Sequence, residues 1–479
     1  MAGRKDRRER HRGECVAADI TRMNRAIRDI SCAFSASRLA AAIGSVLLVT
    51  ASLAAQARPP VIIIPGLTGS ELVNDKTGEK VWFKARRSKV DDLRLPISPN
   101  LAADRDSLVP GDILRTVNLG LKKLDAYGGL IDALEKRGGY TEGNWEHPTS
   151  RGYENTIYVF PYDWRLDNVG NARLLVRRVE ELKRKLRRPN LKFDIVSHSM
   201  GGIIARYAAM YGNFDLPAGK SKLVPTWAGA RYFNRIVILG TPNEGSARSL
   251  VNLLDGFAVG GVRINLPFVQ NLSKFDVFTI PSGFQLLPAP GTFRAFDENL
   301  KPMNLDLYNP KVWSDYGWNV IDDKDFAKHF GAADRRNAQS YFAVVLNRAR
   351  RLHEALDEKT TGQIPVSINV IGSECKDTLD SVVIYQSKKG DKWKILSKAE
   401  AFTRSDGTKV SDDEVKKAIF APGDGVVTKR SLTASTLSGA DGVESILFPV
   451  LTTFVCEGHD SLPGNQEIQD KIIGILSQK

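Results

Sequence analysis

Histidine and cysteine are scarce in this chain, six and four residues among 479, and neither recurs at the spacings that hold a metal ion. Zinc-finger and histidine-based metal chemistry are therefore not expected. The chain also lacks a phosphate-cradling glycine loop and a dinucleotide fingerprint, so no cofactor is expected. Internal repeats and long low-complexity segments are absent as well. The charge balance is basic, 68 Lys and Arg against 55 Asp and Glu, yet no basic motif interleaved with aromatics accompanies it. Nucleic acid is accordingly not an expected partner. The basicity is read instead as solubility with some attraction to anionic membrane surfaces, and protein partners are left unspecified.

Only one uncharged apolar run is long, Leu39 to Leu53, and it follows a basic region. The small-x-small pattern Ala55-Gln56-Ala57 comes next, so residues 1–57 read as a signal peptide, with an uncleaved amino-terminal anchor as the alternative. Residues 39–57 number only 19 and include many Ala, Ser and Thr, short of the ~20 predominantly apolar residues of a spanning helix. An exported protein, secreted or periplasmic, is expected. Ten basic and five acidic residues lie in this segment, so five of the thirteen net positive charges would leave with it. Cys15 and Cys32 would leave too. The remaining pair, Cys375 and Cys456, would then sit in an oxidising compartment, where a disulfide is expected and two free thiols are the alternative.

The remainder, 58–479, is long enough for one large α/β domain with insertions. Val61 to Ile64 is a β-branched run ending in Pro65-Gly66-Leu67-Thr68-Gly69-Ser70, a buried strand followed by a glycine loop. A polar, proline-punctuated and irregular stretch follows at about 71–115, a variable lid-like segment. Tyr127 to Lys136 carries Leu130, Ile131 and Leu134 on one helical face, and Ile157 to Phe160 reads as a strand. Asn171 to Arg188 places Leu174, Leu175, Val179, Leu182 and Leu186 three and four residues apart among basic and acidic side chains, an amphipathic surface helix. Ile236 to Leu239 is a further buried strand. Strands alternating with helices predict right-handed crossovers and a mainly parallel sheet with helices on both faces. The alternation lapses at about 246–362, read as an inserted cap. It resumes at Val366 to Ile371, with a strand within Ile446 to Cys456 and a closing helix at Glu467 to Ser477.

The most informative segment is Leu191 to Gly212, an apolar strand, the pentad Ser197-His198-Ser199-Met200-Gly201 and a helix. A serine at such a turn stands out from the top of a parallel sheet, where a histidine can reach its hydroxyl. This is the nucleophile elbow of an α/β-hydrolase, with serine in place of the usual first glycine. A serine hydroxyl needs a base, and the base an orienting acid, following in the order Ser, acid, His. Of the histidines beyond Ser199, His329 and His353 fall in charged helical stretches and read as solvated. His459 lies between the last strand and the closing helix, where the base belongs. The acid is Asp424 in Gly423-Asp424-Gly425, with Asp460 as the rival. Adjacent to His459 in sequence, Asp460 would rarely reach the Nδ1 of that ring. Backbone N–H groups of Leu67 and Met200 are the expected oxyanion donors, and His198 is read as a packed structural histidine.

Pro65-Gly66-Leu67-x-Gly69-Ser70, Pro161-Tyr162-Asp163-Trp164-Arg165, His198-Ser199-Met200-Gly201-Gly202, Gly240-Thr241-Pro242, Pro281-Ser282-x-Phe284-x-Leu286-Leu287-Pro288 and Gly423-Asp424-Gly425-x-Val427 together resemble the lecithin:cholesterol acyltransferase family. That family includes phospholipid:diacylglycerol acyltransferases and lysosomal phospholipase A-type enzymes. The resemblance implies an acyl-enzyme on Ser199 with Asp424 and His459 as partners, and a cap that admits a lipid acyl chain. It also implies a lipid substrate at a membrane or particle surface, with Trp82 and Phe83 as a surface-touching or a packed pair. Asp163 to Arg165 would be a structural corner. Val426 stands where the family commonly has threonine, and Ser197 where glycine is frequent. The function expected is a lipid O-acyltransferase or lipase-type hydrolase. The alternatives are an esterase for small or polymeric esters and a catalytically silent binding protein.

Overall fold

Short apolar runs supply the seven strands of the main sheet in the computed structural model, which describes residues 57–84, 93–118, 123–217, 219, 221, 223–257, 271–360, 363–388, 390–435 and 451–478. Nearly all of the segment read as a leader lies outside the described residues. The strands are β1 (Val61–Ile64), β2 (Thr141–Glu142), β3 (Thr156–Val159), β4 (Phe193–His198), β5 (Phe233–Leu239), β6 (Ser367–Gly372) and β7 (Leu451–Phe454). Their order is β7-β6-β5-β4-β1-β3-β2, with every neighbouring pair parallel.

Alternation along each strand feeds two separate apolar layers, as a pleated strand requires. Val61, Ile63, Ile157, Val237 and Leu239 pack on the face shared with α1 (Gly128–Lys136) and the closing helix at Gln466–Leu476. Ile62, Ile64, Tyr158, Ile195, Ile236 and Ile238 pack on the other, against α2 (Asn168–Lys185) and α3 (Met200–Tyr211). Helix α2 starts where the Asp167 carboxylate accepts from the Gly170 N–H, and ends in Lys183, Arg184 and Lys185, the charge its carboxyl end favours. Its buried stripe is Val169, Ala172, Leu175, Val176, Val179 and Leu182; Leu174 and Leu186, counted with the apolar face from spacing alone, are only partly buried.

From β1 the chain moves out to the edge strand β2 and back to β3 on one side, then crosses to β4 on the other and continues outward to β7. The loops leaving β1 and β4 therefore diverge over one crevice, the place where open parallel sheets bind ligands. Helix α3 approaches that crevice very closely. A β-carbon on Gly201 would lie 2.6 Å from the carbonyl oxygens of both Ile64 and Pro65, and one on Gly202 2.0 Å from Thr241 Oγ1.

One reading changes. The stretch at 71–115 is not irregular throughout: Ser70–Asn74, Lys80–Trp82 and Leu108–Ile113 form a three-stranded antiparallel sheet. Pro110 hid it, and is tolerated because its strand is at the edge. Asp424 follows β6 only after a long excursion. Between them the chain makes a strand at Lys376–Leu379, further strands and a helix at Asp412–Ile419, then returns in Phe420–Gly423, antiparallel to Lys376–Leu379. A disulfide joins Cys375 to Cys456, just after β6 and β7.

Removing the disulfide by Cys375→Ser with Cys456→Ser should lower unfolding free energy by up to about 4 kcal/mol, the chain-entropy value for a separation of 81 residues; urea titration measures it. Gly201→Ala should cost at least about 2 kcal/mol, because its new methyl group meets backbone that cannot swing aside. An unchanged midpoint would contradict this packing.

Candidate active site

Ser199 is held in a conformation that few non-glycine residues adopt, φ +52° and ψ −126°, of a kind that costs about 1–3 kcal/mol and must be enforced by its surroundings. Two hydrogen bonds enforce it. The Ser199 N–H donates to the Leu239 carbonyl at 2.8 Å, and its own carbonyl accepts from Thr241 Oγ1 at 2.8 Å. Ser197 fits where glycine is usual because its hydroxyl, fully buried, donates to the Val237 carbonyl at 3.1 Å.

The structure brings Ser199, His459 and Asp424 into one hydrogen-bonded line. Ser199 Oγ lies 2.9 Å from His459 Nε2, and His459 Nδ1 lies 2.8 Å from Asp424 Oδ2. A carboxylate only accepts, so Nδ1 carries the proton and Nε2 is left to receive the serine hydroxyl. The other Asp424 oxygen accepts from the Val426 and Val427 N–H groups at 2.9 and 2.7 Å. Gly425 N–H is tied to Thr378 Oγ1 at 2.8 Å. Asp460 lines the same cavity but is not the partner of Nδ1.

Burial opposes charge on both titrating groups, and their mutual attraction overrides it. Desolvation would raise the Asp424 pKa, yet His459 and the two amides hold it below the usual value. Desolvation would likewise lower the His459 pKa, yet Asp424 holds it above the ordinary imidazole value. The pair is thus prepared to stabilise an imidazolium formed when the serine gives up its proton.

The loop after β1 lies against the serine: a β-carbon on Gly66 would fall 2.8 Å from Ser199 Cβ. Among the described residues the N–H groups of Leu67 and Met200 meet no acceptor, and Leu67 lines the cavity above Ser199. The cavity has a volume of about 730 Å³ and runs from Ser199 and His459 past Phe83, Val117, Arg248 and Phe257. Its walls include α4 (Ala247–Asp255) from the insert after β5.

His198 is buried, with its pKa pushed down to about 3 by desolvation and then by His459, as its packed reading required. Trp82 is fully buried, its indole N–H bonded to the Thr68 carbonyl at 2.9 Å. It is a packed residue, and Phe83, partly buried, lines the cavity. His329 is exposed and stacks on Phe275. His353 is not solvated: it faces the core from the helix Ala332–Leu356, where burial, then Arg206, push its pKa down to about 4. Arg165 is fully buried between Asp163 and Asp106, at 2.8 and 2.6 Å, the structural corner expected. Sequence reasoning missed the bracing by Thr241, whose motif was visible but whose direction was not, and missed Arg248, which looks like any charged position on an amphipathic helix.

No curated protein matches the chain. A family model described as lecithin:cholesterol acyltransferase matches residues 144–323. Among solved structures, the Tle4–Tli4 complex aligns with 87% of this chain and 98% of its own at 14% identity and a TM-score of 0.52. A Bacillus licheniformis lipase, BlEst2 in mature form, covers 88% of this chain and 94% of its own at 12% identity and a TM-score of 0.34. Phospholipase PlaB from Legionella pneumophila covers 66% and 39% at 13% identity and a TM-score of 0.25. At such identities the likeness of the first speaks for the fold alone. The chain has the α/β-hydrolase fold and, over residues 144–323, bears out the resemblance to the lecithin:cholesterol acyltransferase family that its motifs carry.

Proposed function

We propose that the protein is a serine-dependent lipid acyl-ester enzyme working through an acyl-enzyme on Ser199. The observation that carries this reading is the closed Ser199–His459–Asp424 line at the wall of a large, mostly apolar cavity. In the reaction His459 takes the Ser199 proton as Oγ attacks the ester carbonyl, and the Leu67 and Met200 amides receive the developing oxyanion. The leaving alcohol departs with the proton from His459. Water then releases a free fatty acid, or an acceptor alcohol takes the acyl group.

The family match supports a lipid as acyl donor. Arg248 narrows the donor further. Its guanidinium is half-buried on the cavity wall and meets no hydrogen-bond or ion-pair partner among the described residues, so burial depresses its pKa with nothing to offset it. Such a cation gains most from an anionic group brought by the substrate. Asp255 and Asp460 line the same cavity, so its wall carries both signs, as a zwitterionic phospholipid headgroup would require. The segment at 246–362 is read as a cap over this cavity. The leader-like segment and the Cys375–Cys456 disulfide support export. Among the described residues no helix is long and apolar enough to cross a membrane.

Incubation of residues 58–479 with phosphatidylcholine vesicles containing a sterol and diacylglycerol tests the reading. The expected result is loss of acyl release or transfer by at least about 10³-fold in Ser199→Ala and His459→Ala, with folding intact. Sterol ester or triacylglycerol would make it a transferase and free fatty acid alone a phospholipase, while substantial activity in Ser199→Ala would overturn the mechanism. Arg248→Gln should raise KM for phosphatidylcholine about ten-fold and KM for a neutral acylglycerol much less; equal effects on both would remove the phosphate reading. The pH profile gives a further check. His459 must be neutral to act as base and its pKa is raised, so kcat/KM should climb with pH through a midpoint above the ordinary imidazole value of about 6.5. In Asp424→Asn the midpoint should fall along with the rate; a wild-type midpoint below 6.5 would contradict the pairing.

A further inference from the structure

A second hydrogen-bond line runs behind the first and uses none of the three reacting side chains. The Gly66 N–H donates to Tyr127 Oη at 2.7 Å, Tyr127 Oη lies 2.8 Å from His198 Nδ1, and His198 Nε2 lies 3.1 Å from the backbone carbonyl of His459. The polarity of the line follows from its ends. A carbonyl only accepts, so His198 Nε2 carries the proton, Nδ1 of the neutral ring accepts, and the Tyr127 hydroxyl donates to it while accepting from Gly66. Both side chains are buried, at 5% and 7% exposure.

We infer that Tyr127 and His198 are positioning residues that set the oxyanion loop and the base-carrying loop in register with each other. At the Gly66 end, the amide before Leu67 is occupied by Tyr127, while Tyr162 Oη donates to the Pro65 carbonyl at 2.9 Å. The Pro65–Gly66 peptide is thus gripped on both sides, which leaves the Leu67 N–H as the donor free to face a substrate carbonyl. At the other end, His198 grips the backbone of His459, whose N–H is already bonded to the Asp424 carbonyl at 3.0 Å. The two loops are separated by nearly 400 residues in the chain, and this line links them. A neutral ring is needed for it, and burial keeps His198 neutral. Tyr127 and His198 also reach the cavity wall, but each is almost wholly buried; displacing either loop would misplace a donor or the base against the transition state, and misplacement of about 1 Å can cost on the order of 10²-fold in rate.

The inference rests on Ser199 acting as nucleophile, so Ser199→Ala is measured alongside on the same ester. Tyr127→Phe and His198→Asn should each lower kcat about ten-fold or more, with KM changed less than about two-fold. Affinity for a trifluoromethyl ketone, which forms a tetrahedral adduct on the serine, should fall in step with kcat. Because both residues belong to one line, the double variant should be little worse than the worse single variant. Losses that multiply in the double variant, or a folded Tyr127→Phe enzyme with wild-type kcat and inhibitor affinity, would overturn the inference. If Tyr127→Phe fails to fold, His198→Asn alone decides, by whether kcat falls at unchanged KM. Retained activity in Ser199→Ala would instead remove the proposed mechanism itself.

Discussion

The geometry of the candidate site depends on a serine backbone forced to positive φ between β4 and α3. The conformation is unfavourable for a residue with a side chain, and three parts of the fold combine to impose it. Leu239 accepts from its N–H and Thr241 donates to its carbonyl, both from the end of β5, and the glycine pair behind it lets α3 press against the end of β1. The neighbouring parallel strands therefore determine where Ser199 Oγ points, and local sequence alone would not hold it there.

The electrostatics follow the same logic of enforcement by burial. Two imidazoles and a carboxylate lie together away from water, and each is driven to the state its neighbours can satisfy. Asp424 stays ionised because two amides and an imidazole compensate it. His459 is made more basic by that carboxylate. His198 has no carboxylate partner and is pushed the other way, to a pKa of about 3. Adjacent histidines thus differ in function by environment, one able to carry a proton and the other kept as a neutral hydrogen-bonding strut.

Peripheral segments contribute by being tied to this centre. The buried Arg165 bonds Asp163 on its own loop and Asp106 and the Leu93 carbonyl on the segment before α1, so the antiparallel sheet near Trp82 and the end of β3 are joined. The disulfide fastens the ends of β6 and β7, from which the acid-bearing excursion and the His459 loop depart. Such ties let irregular loops hold a geometry that regular elements usually supply.

The sequence by itself determined the elements whose signals are local. The apolar runs of β1, β4 and β5, the helical stripe of α2 and the small-residue turn at Ser199 were legible because each expresses a period or a steric demand within a few residues. Asp424 and His459 were legible less directly, through the order in which the fold implied by the Ser199 turn places its acid and base after later strands. What only the tertiary structure decided depends on partners distant in the chain. The small sheet around Pro110 exists because its strand is at an edge. His353 is buried because its helix face meets the core, though its neighbours in sequence are charged. The place of Arg248 on the cavity wall and the line from Gly66 through Tyr127 and His198 to His459 are relations between segments far apart in sequence, and a hydrogen bond is specified only when folding fixes both of its ends.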